Sequence, residues 1–441
     1  MSMLKKIRVS GFKSLDNFEL EFRRGLNVLI GPNGSGKTNI LNFIEFFSNL
    51  TRLPLLEAVS KSGGAGRIFR RSDLGLLTGQ VSFTIIGDGP YQDHAGDKPV
   101  HVFYEYSAEI TLSESNSALS YSRQSLKLAY GQRDLLEWPI DAELEGKNGE
   151  ITSVRFSPST ARSFRDRYVP QKAGDPDIAE AVRTFATDTC ATTALHEVLS
   201  RFIAGAGQIA RDIRGAKSFN ISPSSVRRAE DIASEPEISE DGSGLAAVLF
   251  AIENASRQRY YGYPYRYYAR QFHPDVTLTK LIAYSKIVND SIQQITVEPD
   301  AIENQLRIFL RIGYGVGSLK LPFSLVSDGT AKWFTLVTAI VTSPAVFAIE
   351  EPENFLHPLM QREIVKIVRE TFTEDQNDAF AIMTTHSETI LNCIDPDEMI
   401  LVHMEQGRTV AKRPSNSDDI RKEIVETGFG AGYYYIAGAI E

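Results

Sequence analysis

An α/β fold with an antiparallel β subdomain and an inserted helical subdomain is predicted by three features of the sequence. Residues 31–38, Gly31-Pro32-Asn33-Gly34-Ser35-Gly36-Lys37-Thr38, fit the pattern G-x-x-x-x-G-K-[ST], between an apolar strand at 26–30 and a segment with helical spacing at 39–47. A buried-strand run at 344–349 ends in Glu350-Glu351-Pro352-Glu353, the position at which a P-loop ATPase holds its metal and polarises its water. Between them, 81–86, 100–111 and 120–130 alternate apolar and polar residues with turn residues in between, as antiparallel strands do.

The residue types of the loop follow from what it binds. Glycines let backbone N–H groups turn inward around phosphate oxygens, and the helix N-terminus that follows adds positive potential. Asn33, Gly34, Ser35 and Gly36 form the cradle; Lys37 reaches the β- and γ-phosphates, and Thr38 gives its hydroxyl to Mg²⁺.

Composition narrows the class. The chain has 441 residues with 42% hydrophobic and 23% charged side chains, ordinary globular values that allow a large core with insertions. A formal net charge of −9 argues against a protein that coats nucleic acid indiscriminately, although local basic patches exist. Only Cys190 and Cys393 are present, without the spacing that holds zinc, which points to a reducing cytoplasm. No run of 18 apolar residues spans a membrane, and Lys5, Lys6 and Arg8 near the start precede no apolar leader core, so neither secretion nor a membrane span is expected.

Taken in order, 4–9, 18–22 and 26–30 read as strands ahead of the loop and its helix. The basic cluster Arg67, Arg70 and Arg71 sits in a Gly-rich connector and reads first as a solvated loop, second as a nucleic-acid contact. Residues 176–213 carry helical periodicity, and Asp241-Gly242-Ser243-Gly244 opens a helix at 245–256. Six of the 17 tyrosines lie in 260–268 beside Arg266, a composition that suits unpaired bases and a packed protein interface alike. A helix at 277–292 and a strand pair over 295–312 follow, and Gly313 to Gly317 reads as a turn. The expected division is an N-terminal ATPase lobe at 1–140, a mainly helical insertion at 141–300 and a C-terminal lobe at 301–441.

The second half of the site begins with Ser327-Asp328-Gly329-Thr330 and an apolar helix at 331–341. After the acids come Glu353-Asn354-Phe355-Leu356-His357-Pro358, then a strand at 380–385 ending in His386. Glu350 lies 313 residues beyond Lys37, so something large separates the two halves. In this order the motifs resemble the ABC-type ATPase heads of the RecF/SMC/OLD group. With Phe12-Lys13-Ser14 and Asp241-Gly242-Ser243 they are most similar to the stand-alone OLD-like ATPases of bacterial anti-phage operons.

The resemblance implies an ABC-ATPase head, with ATP and Mg²⁺ as ligands. Lys13 joins the nucleotide-binding residues, Glu350 contacts the metal, and Glu351 orients or deprotonates the attacking water. Ser327 and Gly329 contact the γ-phosphate of ATP held by a second subunit, His386 senses that phosphate, and Asn354 lies in the loop that crosses between subunits. Two departures stand out: Glu350 replaces the commoner Asp, so Glu350, Glu351 and Glu353 compete for the roles, and Lys332 stands where relatives often carry Arg. Gln80 and Gln124 are both candidates for a lid glutamine.

The function implied is an ATP-gated homodimer or higher oligomer, a sensor or scaffold controlling a separate effector protein, nuclease or toxin, from the same operon, as in PARIS or Septu defence. The Gly/Tyr/Ala-rich stretch 428–441 carries no charged catalytic cluster, and a nuclease domain like that of OLD proteins is not expected in the roughly 55 residues after His386. Two alternatives remain open: a RecF-like repair ATPase holding DNA with its basic and tyrosine-rich segments, and a nucleotide-bound scaffold of low turnover. Membrane transport is set aside.

Overall fold

Two compact units share the chain, and each is interrupted by the other: one holds Met1–Ala216, Asp375–Phe380 and Glu398–Pro414, the other Lys217–Glu374, Ala381–Asp397 and Ser415–Glu441. The computed structural model describes residues 3–71, 75–91, 100–113, 118–131, 141–157, 191–200, 203, 205–213, 216–257, 274–315, 317–342, 346–373 and 380–440. The tyrosine-rich stretch 260–268, residues 176–190 of the expected helical segment, and Cys190 lie outside them.

In the first unit, β1 (Met3–Ser10) and β2 (Phe18–Glu21) pair antiparallel, β3 (Gly25–Ile30) runs into the phosphate loop, and α1 (Lys37–Leu50) leaves it. Then follow β4 (Gln80–Tyr91), β5 (Val100–Leu112), β6 (Leu119–Gly131), β7 (Ala142–Lys147) and β8 (Glu150–Phe156). They form a seven-stranded antiparallel sheet in the order β2-β1-β4-β5-β6-β7-β8. Period-2 patterning sets its two faces. Across β1 and β2 the paired Ile7 and Leu20 are buried, while Arg8 meets Glu19 at 2.8 Å on the solvent side.

The buried face of this sheet covers α1. Phe83 lies 5.8 Å from Phe43 and 5.6 Å from Phe47, ring centre to ring centre, and Tyr106 is also in reach of Phe47. Each fully buried ring of this kind contributes about 1.5–3 kcal/mol through lost water contact. The helix behind the phosphate loop is therefore anchored along its apolar face.

The sheet continues past residue 140, because β7 and β8 add two strands where a helical insertion was expected. Gln124, one of the two lid candidates, is buried inside it. Its Oε1 accepts from Tyr106 Oη at 2.6 Å and from the Leu195 N–H at 2.7 Å, and its Nε2 donates to the Thr193 carbonyl at 3.1 Å. Such bonds fasten the short helix Leu195–Leu199 to the sheet, a structural task in place of the lid role. Gln80 is exposed at the start of β4.

The second unit opens on β9 (Lys217–Phe219) and β10 (Glu230–Asp231), then α2 (Leu245–Arg257) and α3 (Pro274–Val288). Glu230 caps α2, its two carboxylate oxygens accepting from the N–H groups of Gly244 at 2.7 Å and Ala247 at 2.9 Å. β11 (Ile292–Asp300), β12 (Gln305–Tyr314) and β13 (Gly317–Pro322) follow, and β12 pairs antiparallel with β10, β11 and β13. Gly313, Tyr314 and Gly317, expected in a turn, lie in the paired ends of β12 and β13; the third strand was not expected.

Next come α4 (Asp328–Val341), β14 (Phe347–Glu350), α5 (Pro358–Thr373) and β15 (Phe380–Thr384). β14 lies between β9 and β15, parallel to both, with Phe347, Ala348 and Ile349 buried. Two further strands, β16 (Met399–Glu405) and β17 (Arg408–Lys412), return to the first unit, where β16 pairs parallel to β3 and antiparallel to β17. The C-terminal stretch folds as α6 (Ser417–Thr427) and α7 (Ala431–Ile436). Among the described residues no helix is long and apolar enough to cross a membrane.

His196 is fully buried against Tyr106, 4.8 Å between ring centres, and neither ring nitrogen has a hydrogen-bond partner. Burial pushes its pKa down to about 3. The ring is neutral in both folded and unfolded chains near neutrality. As pH falls below the usual histidine value, the unfolded chain binds a proton that the folded one refuses, so stability is lost down to about pH 3. Between about pH 7 and pH 5, urea unfolding of the native chain should lose about 2 kcal/mol more than that of His196→Leu. Equal losses would contradict the assignment.

Candidate functional site

The phosphate loop lies in the first unit, entered from β3, whose six residues are all buried. Its glycines are forced from two sides. Gly34 and Gly36 have φ of 80° and 100°, which side chains other than glycine's rarely adopt. A Cβ on Gly36 would stand 1.9 Å from Thr409 Oγ1, and one on Gly31 would stand 1.9 Å from the Val402 carbonyl oxygen.

Gly36 is also the N-cap of α1, so no side chain caps the helix, and its first turn carries no acid. The positive end of the helix is left for an anion. Ser35 Oγ is buried without a protein partner, a polar atom waiting at the same cradle. Lys37 is 7% exposed, and its Nζ donates to the loop's own carbonyls at Gly31, 2.7 Å, and Pro32, 3.1 Å. Thr38, Asn33 and Gly34 are on the exposed rim. These residues fit a nucleotide's phosphates.

Behind the loop, Ser14 ties three segments together. Its Oγ bonds Thr409 Oγ1 at 2.6 Å and accepts from Asn39 Nδ2 at 2.7 Å, and its carbonyl accepts from the Thr409 N–H at 2.9 Å. Lys13 beside it has φ of 49°, donates its N–H to the Ile68 carbonyl at 2.9 Å, and carries its ammonium 5.7 Å from the Phe12 ring centre. Thr409 gave no signal in the sequence. The basic cluster is partly neutralised, Arg70 and Arg408 converging on Asp16 at 3.4 and 3.2 Å.

The acids, the Ser-x-Gly motif and His386 lie in the second unit, where the structure links them. Glu350 ends β14, and its Oε1 accepts from Ser218 Oγ at 2.9 Å. Glu351 has a left-handed backbone, φ 43°, a conformation that costs a residue other than glycine about 1–3 kcal/mol. It is held there from both ends: its N–H donates to the Thr384 carbonyl at 3.0 Å, and its own carbonyl accepts from Lys332 Nζ at 3.1 Å. Its Oε2 accepts from Asn354 Nδ2 at 2.9 Å, within the same chain.

Glu353 separates from its two neighbours by what it binds. Its Oε1 accepts from the His386 N–H at 2.7 Å, and its Oε2 is buried without a partner. That fixes the backbone of the His386 turn while the His386 ring stays exposed. Ser387 Oγ donates to Gln361 Oε1 at 2.6 Å, bracing the same turn against α5.

Ser327 is the N-cap of α4, accepting from the Thr330 N–H at 3.2 Å. A Cβ on Gly329 would stand 2.7 Å from the Phe355 carbonyl oxygen, so glycine lets α4 close on the loop after the acids. Arg227 braces the motif, pairing with Asp328 at 2.6 Å and donating to the Val326 carbonyl at 2.6 Å. Leu325, Phe355 and Leu359 are large apolar side chains left exposed around it. Burial pushes the Lys332 pKa down to about 8, against the pull of the Glu353 and Glu351 charges. Among the described residues no group of three or more His, Cys, Asp or Glu side chains is poised to hold a metal. Mg²⁺ asks for less, one or two carboxylates completed by phosphates and water.

Two sequence families match the chain. One, described as "AAA ATPase domain", covers residues 3–166, and the other, "AAA domain, putative AbiEii toxin, Type IV TA system", covers residues 200–392. Among solved structures, an Smc head bound to the C-winged helix domain of ScpA covers 93% of this chain and 97% of that one at a TM-score of 0.50 and 12% identity. The fold is that of an SMC head with an antiparallel β subdomain.

Curated relatives of the Rad50, Septu and RecF kinds match short segments of the chain. The Rad50 ATPase of Methanopyrus kandleri is 45% identical over 42 residues, 10% of this chain and 5% of that one. The Septu protein PtuA of Bacillus thuringiensis is 36% identical over 69 residues, 15% and 17% of the two chains. RecF of Erwinia tasmaniensis is 30% identical over 102 residues, 22% and 26%. The matched segments thus span about a quarter of these relatives' length at most.

Replacing Gly36 by Ala should weaken binding of a fluorescent ATP analogue at least about tenfold, through the clash with Thr409 and the strained φ. Unchanged affinity would mean that the loop does not hold phosphate in this conformation.

Proposed function

We propose that the chain is an ATP-hydrolysing, ATP-gated oligomer that acts as sensor and scaffold for a separate effector protein in bacterial anti-phage defence. The observation that carries the reading is the linked set in the second unit: Ser327, Glu351, Asn354, Glu353 and His386 are connected through α4 and two loops, as a device that reads a γ-phosphate requires. The phosphate cradle of the first unit supplies the other half.

In this reading Lys37 and the N–H groups of Asn33, Gly34, Ser35 and Gly36 bind the phosphates, with Lys13 beside them. Thr38 and Glu350 hold Mg²⁺, whose contribution is to neutralise charge on the phosphate oxygens. Glu351 takes a proton from the attacking water, with Asn354 holding its carboxylate in direction. His386 senses the γ-phosphate. Ser327 and Gly329 present the N-terminus of α4 to ATP on a second copy of the chain, and the exposed Leu325, Phe355 and Leu359 suit burial there. ATP then favours the closed assembly by the contacts it makes from both sides, and hydrolysis removes them.

The defence role is supported by the toxin-antitoxin family at 200–392 and by the PtuA match. The RecF match favours a second reading, a DNA-bound repair ATPase. Hydrolysis stimulated by DNA with a steep salt dependence would select it.

Glu351→Gln should slow turnover by roughly 100-fold to 10,000-fold while leaving ATP binding intact and lengthening the life of the ATP-bound oligomer. Steady-state hydrolysis and native mass with and without ATP read both effects. Wild-type turnover in that variant would sink the reading.

A further inference from the structure

We propose that Lys332 is a positioning residue for the Glu351 carboxylate, through which α4 sets the backbone of the loop after β14; this rests on the reading of Glu351 as general base. Lys332 sits in the second turn of α4, 1% exposed, and its Nζ donates to the Glu351 carbonyl at 3.1 Å. That is its single hydrogen bond among the described residues, and the Phe355 ring centre lies 5.9 Å from the ammonium. The other end of the same residue is fixed by the bond from the Glu351 N–H to the Thr384 carbonyl at 3.0 Å. Peptides pinned on both sides of a left-handed residue leave one direction for its Cα–Cβ bond.

The charge is retained where an apolar side chain would pack more comfortably. A buried ammonium is costly unless neighbours compensate, and ten of the fourteen residues of α4 are buried. The compensation is electrostatic: the Glu353 and Glu351 carboxylates act on Lys332, and Glu353 in turn holds the His386 N–H at 2.7 Å. One ammonium therefore faces the two loops that carry the general base and the histidine, from a helix whose N-cap is Ser327. A shift of α4 moves the Glu351 carbonyl with it. By this route the state of Ser327 sets the aim of the carboxylate without touching the phosphate loop.

The test is Lys332→Met in the full chain, with kcat, KM for ATP, ATP-analogue affinity and Tm measured beside wild type. The expected result is a kcat lower by about tenfold or more, KM and affinity within about twofold, and a Tm that does not fall. Lys332→Arg, which keeps a charged donor, should recover part of the lost kcat. Should Lys332→Met fail to fold, Glu353→Gln decides, since it removes the facing charge but keeps an acceptor for the His386 N–H; the same split of kcat from KM is expected. Unchanged kcat in these variants, or a joint fall of kcat, affinity and Tm, overturns the proposal. Glu351→Gln is run alongside: slow turnover there with wild-type turnover in Lys332→Met removes only the positioning role, while wild-type turnover in Glu351→Gln removes the general base.

Discussion

The phosphate loop depends on a pair of strands from the far end of the chain. β16 lies parallel to β3 with Met399 opposite Val28 and Leu401 opposite Ile30, which brings Val402 against Gly31 and, through β17, Thr409 against Gly36. Both contacts are so close that no side chain fits between. The glycines that let backbone N–H groups face phosphate are thus also those that let the loop seat on this hairpin. Ser14, bonded to Thr409 and Asn39, closes the arrangement from a third segment. A binding loop of high glycine content would otherwise be mobile, and seating it removes that entropy before any nucleotide arrives.

The second unit uses the opposite device. There a residue that is not glycine, Glu351, is forced into a left-handed conformation and kept there by the bond its N–H donates to the Thr384 carbonyl and the one its carbonyl accepts from Lys332. Strain of this kind persists only where the surroundings over-determine it. The surroundings are the three features the functional reading needs: the helix that starts at Ser327, the loop of Asn354 and Phe355, and the turn at His386. Glu353, the third acid, ties the turn to that loop by accepting from the His386 N–H. The three neighbouring glutamates differ in their partners: Ser218 for Glu350, Asn354 for Glu351 and the His386 backbone for Glu353.

The α/β fold, the antiparallel subdomain and the strands flanking the loop were legible because their patterns are local. Alternation over 81–86 and 120–130 reports one buried face, and helical spacing after Lys37 reports another. What the sequence hid was non-local. β7 and β8 are short, and the alternation of Glu143, Glu145 and Lys147 with buried Ala142 and Leu144 is too brief to signal a strand until the sheet supplies neighbours. β17 and Thr409 matter only through contacts with residues 14 and 36, which no window of the sequence joins. Gln124, a lid candidate beside Gln80, could not be placed for the same reason: Tyr106, Thr193 and Leu195, which satisfy it inside the sheet, are distant in sequence. Contiguous lobes at 1–140 and 301–441 missed the return of Glu398–Pro414 to the unit that holds the phosphate loop. Glu351 and His386 were visible as motifs, but their coupling through Lys332 and Glu353 needed side-chain positions.

The proposed pairing sets one chain's phosphate loop against another chain's Ser327. It is tested by mixing two inactive variants, Lys37→Ala and Ser327→Arg, and measuring ATP turnover together with native mass. A mixed oligomer contains one composite site with both halves intact, so the mixture is expected to regain activity that neither variant has alone. A mixed oligomer that forms and yet hydrolyses no ATP would contradict it.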